Sequence, residues 1–394
     1  MPASEHHTLV VGSGPQPASE ELFRGVRLIT PVLLVDQATP TWQWTYLADY
    51  EAAALDDPRM LRRAGLRLAA NYSIATVLPG SEAAVPAAAE LAALLTGELP
   101  QDLCSADPEL QTALHRASLP TLSTVPVDTP AQAAGAARRI EFPVVLKRPP
   151  GPGGAQPVVA RSVREVPAAF RTVAADLPPG SHVLVQELAD GPEVELLCAT
   201  TDNNTRVLAA LRIRLLGSPG ERSGATGDPA DPLLGAMAST ATRVLAGLDA
   251  RTGLSTLTLR LAPTGPRVII AHTHTPFDRG PLWRALTGID LGVATAALAY
   301  DHPLATAQQG APQFVAERVL RAPVDGVLAE AHLAAGPGQP EASAVQWHAQ
   351  VGDTLSRGTR VCTLTARAAD PTACQQGLDA ASTAVRFHLD PPPP

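Results

Sequence analysis

The chain has 394 residues, of which 45% are hydrophobic and 4% aromatic, and this is enough for two or three domains with cores of Ala, Val and Leu. Its net charge of -8 argues against nucleic acid as a partner, because nucleic acid is bound through basic surface. The sequence shows no membrane-span pattern, no signal-peptide pattern and no CxxC pair among its four cysteines, so we expect a cytoplasmic protein.

Short apolar runs alternate with amphipathic segments in the first hundred residues, which predicts βαβ units around a parallel sheet. Strands are predicted at residues 8–11, 32–36 and 74–78, and helices at 58–70 and 82–95. Gly12 and Gly14 follow the first strand, as in a dinucleotide fingerprint. The third glycine of that fingerprint is absent, and a tight strand-to-helix turn explains the two glycines more simply.

A helix is predicted at residues 109–117 and another from Pro130 to Arg139, with a capping side chain before the proline. The apolar run that follows ends at Lys147, the only lysine among the 30 basic residues. A glycine-rich stretch and a second strand come next, so the glycine loop joins two hairpin strands. A compact ammonium beside such a loop indicates a phosphate site. The alternative is that a single lysine carries no special role.

The later elements continue the mixed pattern. Ser162 and Glu165 have the spacing of a capping box for a helix that extends to Ala175. Further predicted elements are a strand at 182–187, a hairpin turning at Asp202, a helix at 232–248, and paired strands at 255–261 and 267–273.

The segment from about 105 to 300 resembles the ATP-grasp superfamily, and its layout is most similar to the carboxylate-amine ligases that join amino acids. Four separated stretches carry the resemblance in order, namely 142–147 with the glycine loop, 185–193, 265–272 and 286–291. The resemblance implies an α/β (α+β) protein. We expect an N-terminal doubly wound α/β domain at 1–105, an ATP-grasp domain at 106–312, a C-terminal β-rich lid subdomain at 313–390, and a disordered tail at 391–394.

The resemblance also assigns residues to ATP. Lys147 would contact the phosphates, a hinge strand would read the adenine edge through its backbone, and Glu193 would face the ribose. A solvated turn is the alternative for Glu193, and Glu187 carries the same ambiguity. The residues assigned to the nucleotide are Lys147, Gly151, Gly153, Gly154, Gln186, Glu187, Leu188, Ala189 and Glu193.

The chain departs from the family where the chemistry occurs. The family holds magnesium with carboxylates from two adjacent strands, followed on the second by an asparagine and an arginine. Thr258, Ile270, His272 and His274 stand at those four positions, and neither strand contains Asp or Glu. Either Asp107 or Pro108 stands at the place of a second family lysine. Losing the metal anchors forfeits several kcal/mol of transition-state stabilisation, or roughly three or more decades of rate.

His272 and His274 are two apart on a strand and could together hold a transition metal, but we favour a hydrogen-bonded pair because the sequence fixes no third ligand. Three functions stay open. The favoured one is a nucleotide-binding relative with weak or no turnover and a doubtful need for Mg²⁺. The others are an active ligase that forms a C–N bond from a small carboxylate or amino acid, and a structural accessory subunit of an intact ATP-grasp ligase. A homodimer is the default assembly.

Overall fold

The computed structural model describes most of the chain. The described residues are 6–14, 16–97, 107–119, 122–148, 157–175, 177, 180–189, 191–202, 204–215, 221–225, 232–248, 250, 252–262, 265–273, 280–304, 314–334 and 343–391. Within these ranges no helix is long and apolar enough to cross a membrane.

The N-terminal part is a four-stranded parallel sheet flanked by helices, as the alternating pattern predicted. The strand order is β3-β2-β1-β4, with every pair parallel. Apolar side chains of β1 and β2 are fully buried between α1 on one face and α2 and α3 on the other. The elements are β1 His6–Val11, α1 Gln16–Arg27, β2 Val32–Asp36, β3 Leu47–Ala52, α2 Pro58–Asn71, β4 Ser73–Pro79 and α3 Val85–Leu95.

A small antiparallel sheet follows, in the order β5-β8-β6-β7. Helices α5 and α6 cover one of its faces through an apolar core. Thr129 caps α5 in a full capping box with Gln132, and Pro130 occupies the first helical turn, as expected. The elements from α4 to β8 are α4 Asp107–Arg116, β5 Thr124–Val127, α5 Pro130–Ile140, β6 Val144–Lys147, β7 Val158–Ala160, α6 Val166–Ala174 and β8 Val183–Glu187.

The predicted capping box of α6 was wrong in its position. Ser162 and Glu165 do interact, since the Ser162 hydroxyl donates to the Glu165 carboxylate at 2.9 Å. The same carboxylate accepts from the Arg161 N–H at 2.9 Å, so the contact closes a turn before the helix. The helix itself begins three residues later than that box predicts, at Val166 with Glu165 as its N-cap. The hydrogen bonds to the Glu165 carboxylate hold its pKa below the ordinary value.

The largest sheet has eight strands, in the order β13-β12-β9-β10-β11-β14-β18-β16, and a three-stranded sheet β17-β15-β19 adjoins it. The C-terminal part is therefore β-rich, and three of its strands extend the central sheet. The remaining elements are β9 Glu193–Thr201, β10 Asn204–Leu215, β11 Glu221–Ala225, α7 Pro232–Gly247, β12 Gly253–Ala262, β13 Gly265–His272, α8 Gly280–Thr287, α9 Leu291–Ala299, β14 Phe314–Arg321, β15 Gly326–Leu333, β16 Ser343–Trp347, β17 Thr354–Leu355, β18 Arg360–Ala368, α10 Pro371–Ala384 and β19 Val385–Asp390.

Helices α1 and α9 fix the N-terminal sheet to the central sheet. They cross so closely that a Cβ on Gly25 would lie 2.2 Å from the carbonyl carbon of Gly292. Beside the crossing, Arg284 pairs with Glu21 at 2.9 Å, and Arg24 pairs with Asp290 at 2.7 Å. The glycines permit the backbone contact and the ion pairs surround it, so the two sheets are held in a fixed relation.

Candidate nucleotide site

Lys147 ends β6 on the face of the small sheet opposite α5 and α6. Val144 and Leu146 point into the core beneath α5 and α6, so Val145 and Lys147 point to the opposite face. The lysine is half-buried and lies opposite Leu184 of β8. Directly after it, the Arg148 side chain donates to the Val173 carbonyl at 2.9 Å, which anchors the chain where the glycine-rich stretch begins.

The strands around the glycine-rich stretch form the predicted hairpin. β6 and β7 are antiparallel neighbours, with Val144 opposite Ala160. Val158 of β7 lies opposite Leu146, so β7 begins beside the end of β6. Gly151, Gly153 and Gly154 themselves lie outside the described residues, as does His274.

The hinge, which we define as residues 186–193, leads from the small sheet to the large one. Gln186 is buried and donates through its side chain to Thr124 at 2.8 Å, so this side chain has a structural partner. Glu187 donates its N–H to the Ser123 carbonyl at 2.8 Å, and its carboxylate accepts the Ser123 N–H at 3.2 Å. The Leu188 N–H donates to the Pro143 carbonyl at 3.3 Å. The start of the hinge is thus held by both neighbouring strands.

The end of the hinge lies against β12. The Leu261 N–H donates to the Pro192 carbonyl at 3.0 Å. Arg260 donates to the Ala189 carbonyl at 3.0 Å and pairs with the Glu193 carboxylate at 3.2 Å. The sequence assigned Glu193 either to a ribose or to a solvated turn, whereas its side chain is about three-quarters buried and ion-paired. No sequence signal pointed to Arg260, because its role depends on β12 lying beside β9.

The polar floor is the face of β9 and β12 that carries Glu193, Glu195, Thr256, Thr258 and Arg260. These residues share a face because the register places Thr258 opposite Glu195 and Arg260 opposite Glu193. Farther along the same face the residues become apolar, and α8 and α9 cover them. The other face is apolar and is covered by α4 and α7. Polar residues are therefore concentrated near the hinge.

The two strands that the resemblance matches to the magnesium-holding strands of the family, β12 and β13, are adjacent, and the residues at the ligand positions meet. Thr258 lies directly opposite Ile270, and Thr256 lies opposite His272. Carboxylates at the first pair would have been close enough to share an ion, but a hydroxyl and an aliphatic side chain stand there instead. Magnesium prefers oxygen ligands, above all carboxylates, so the residues of these strands do not fit it. Among the described residues, no group of three or more His, Cys, Asp or Glu side chains could hold a metal ion.

The glycines after β1 make a packed turn. Gly12 has φ +65°, and its N–H donates to the Val35 carbonyl at 2.7 Å. A Cβ on Gly80, after β4, would lie 1.9 Å from the Gly12 carbonyl oxygen. The loops that follow β1 and β4 thus touch each other at the carboxyl end of the sheet. The glycines fit the tight turn that the sequence favoured over a dinucleotide site.

The described cysteines are core residues. Cys198, Cys362 and Cys374 are all buried. Burial raises the pKa of the first two to about 12 and that of Cys374 to about 11. Thiolates are the reactive form, so none of these three residues is suited to act as a nucleophile.

Comparison with solved structures identifies the architecture. An L-amino acid ligase from Bacillus licheniformis aligns with a TM-score of 0.74 at 14% identity, covering 98% of this chain and 100% of that one. N5-carboxyaminoimidazole ribonucleotide synthetase from Thermotoga maritima aligns at 0.70 and 11% identity, covering 97% and 99%. Biotin carboxylase from Campylobacter jejuni aligns at 0.68 and 12% identity, covering 97% and 92%.

These likenesses extend over nearly the whole of each chain, and they show that the protein has the ATP-grasp fold. They confirm the fold that the separated sequence segments predicted. No protein-family model and no curated protein matches the sequence. At these low identities the likeness establishes the fold alone.

Proposed function

We propose that the protein binds ATP or ADP between Lys147 and the hinge, and that it has weak or no ligase turnover. The observation that carries the proposal is the contrast between the two parts of the site. Lys147 ends a strand of the small sheet on the face opposite α5 and α6, whereas Thr258 and Ile270 face each other where metal-holding carboxylates would be needed. The first part suits phosphate, and the second does not suit magnesium.

The hinge supports an adenine nucleotide. The Ala189 N–H makes no hydrogen bond with the other residues that the structure describes, although Ala189 is only 5% exposed. A buried backbone N–H without a partner is costly, and an adenine ring nitrogen would accept from it. The solved neighbours include a biotin carboxylase complexed with a β,γ-ATP analogue and a carboxyaminoimidazole ribonucleotide synthase complexed with ATP. By analogy with those complexes, the same region of this chain would hold its nucleotide.

The single lysine allows a direct test of phosphate binding. An amine-acylating reagent can modify only Lys147 and the chain's α-amino group, so mass spectrometry of the two peptides separates them. We expect ATP to protect Lys147 in a concentration-dependent way while the α-amino group reacts as before. Tripolyphosphate, which lacks the base, should protect at higher concentration. Equal labelling of Lys147 with and without saturating ATP would contradict the proposal.

Glu195 favours an active ligase as the second candidate. This glutamate is only 3% exposed and lies opposite Thr258 on the polar floor. It supplies one carboxylate on β9, next to β12, which has none, and magnesium can bind through one or two carboxylates plus substrate phosphates. Amino-acid-dependent release of ADP and phosphate that disappears in Glu195→Gln would establish this candidate. We expect no such release.

A further inference from the structure

Arg260 connects the large sheet to the hinge with a single side chain. One terminal nitrogen, Nη1, donates to the Ala189 carbonyl at 3.0 Å, and the other, Nη2, lies 3.2 Å from a Glu193 carboxylate oxygen. The two contacts reach both ends of the segment 189–193. A planar guanidinium can make two such bonds in fixed directions, whereas a lysine ammonium is a point charge on a flexible stem.

Burial makes this contact more than a surface ion pair. The Arg260 side chain is 27% exposed and that of Glu193 is 24% exposed. Water therefore screens the pair only partly, and removing one partner leaves the other charge mostly buried and unpaired. The backbone supports the same arrangement, because the Leu261 N–H holds the Pro192 carbonyl and a Cβ on Gly191 would overlap the Leu261 carbonyl oxygen.

The Ala189 N–H lies in the peptide plane between two held groups, namely the Leu188 N–H, which donates to the Pro143 carbonyl, and the Ala189 carbonyl, which accepts from Arg260. Holding both neighbouring planes restrains the direction of the Ala189 N–H. The same side chain fixes the Glu193 carboxylate at the far end of the hinge. The side chain that orients the hinge thus comes from β12, one of the two strands that have no metal-binding carboxylates.

We propose that Arg260 is a positioning residue for recognition of the nucleotide base and ribose, acting through the Ala189 backbone and the Glu193 carboxylate. The inference rests on the proposed nucleotide site. In this account, two cationic side chains have different roles at that site. Lys147 binds the phosphates of any nucleotide, and Arg260 sets the selectivity for adenine without touching the phosphates.

The test compares Arg260→Leu, Arg260→Lys and Lys147→Ala by calorimetry with ATP, GTP and inorganic tripolyphosphate. Arg260→Leu should lower the affinity for ATP roughly tenfold or more and reduce the preference for ATP over GTP, while the affinity for tripolyphosphate stays unchanged. Arg260→Lys keeps the charge without the fork and should restore part of the ATP affinity. Lys147→Ala should lower the affinity for all three ligands.

Glu193→Gln keeps the shape of the partner and removes its charge, so it carries the test if Arg260→Leu does not fold. Glu193→Gln should lower the affinity for ATP by a smaller factor than Arg260→Leu does, and it should leave the affinity for tripolyphosphate unchanged. In the double variant with Arg260→Lys, the two losses in ATP affinity should be less than additive, because both changes weaken one interaction.

Two results would overturn the inference. In one, the Arg260 variants bind ATP and GTP with the wild-type preference. In the other, the Arg260 variants lose affinity for tripolyphosphate by the same factor as for ATP, which would mean that Arg260 stabilises the fold as a whole. Failure of the proposed function would look different, since wild-type protein would then bind neither ATP nor tripolyphosphate, and the inference would fall with it.

Discussion

Replacing Gly191 with alanine should displace the hinge from β12. Gly191 has φ +114°, a conformation that side chains other than glycine rarely adopt, and its new Cβ would lie 2.1 Å from the Leu261 carbonyl oxygen. Gly265, the first residue of β13, is a matched control. It has φ +110°, but a Cβ there would meet nothing within 4 Å.

The two variants share the cost of the backbone conformation, about 1–3 kcal/mol. Only Gly191→Ala adds an overlap with backbone, and overpacking of this kind costs about 1–3 kcal/mol more. Because the overlap is with a strand of the central sheet, we expect the hinge to move and the strand to stay. ATP affinity should then fall about tenfold or more, since each decade corresponds to about 1.4 kcal/mol.

Urea unfolding and ATP calorimetry on both variants measure the two effects separately. Gly265→Ala should lose stability and keep its ATP affinity, whereas Gly191→Ala should lose more stability and also ATP affinity. If the two variants lose equal stability and bind ATP equally well, the close contact between the hinge and β12 does not control the nucleotide site, and the reasoning is refuted.

Two further predictions concern the junction between the sheets. Gly25→Ala should lose about 1–3 kcal/mol in urea unfolding because its Cβ would overlap α9, whereas Gly235→Ala on α7, with nothing within 4 Å, should gain about 1 kcal/mol from helix propensity. Burial raises the pKa of Glu21 above its ordinary 4.5 despite the opposing charge of Arg284, so its contribution to stability is present below that value and lost as pH rises through the raised pKa. Glu21→Gln should flatten this part of the profile of unfolding free energy against pH.

Local sequence patterns predicted most of the fold. A proline at the first helical turn marked α5, and apolar runs marked β2 and β6, because caps and burial patterns act within a few residues. The start of α6 was wrong for the same reason. Ser162 and Glu165 have the spacing of a capping box, but they can also close a turn, and the sequence does not distinguish the two.

The candidate site was predictable only in part. Lys147 was visible because it is the only lysine and ends an apolar strand. The Arg260 contact was not, because it depends on β12 lying beside β9, a pairing between segments far apart in the sequence. The position of Glu195 opposite Thr258 could not be read from the sequence either, since only the register of β9 and β12 reveals it.

The central claim is that the protein keeps the nucleotide-holding part of an ATP-grasp site without the metal-holding part. Titration of ATP by calorimetry, once with excess Mg²⁺ and once with a chelator, tests it most directly. We expect the same dissociation constant in both titrations, and loss of the binding heat in Lys147→Ala. Binding that requires Mg²⁺ would contradict the claim and favour an active ligase, and absence of any ATP binding would leave only a structural role.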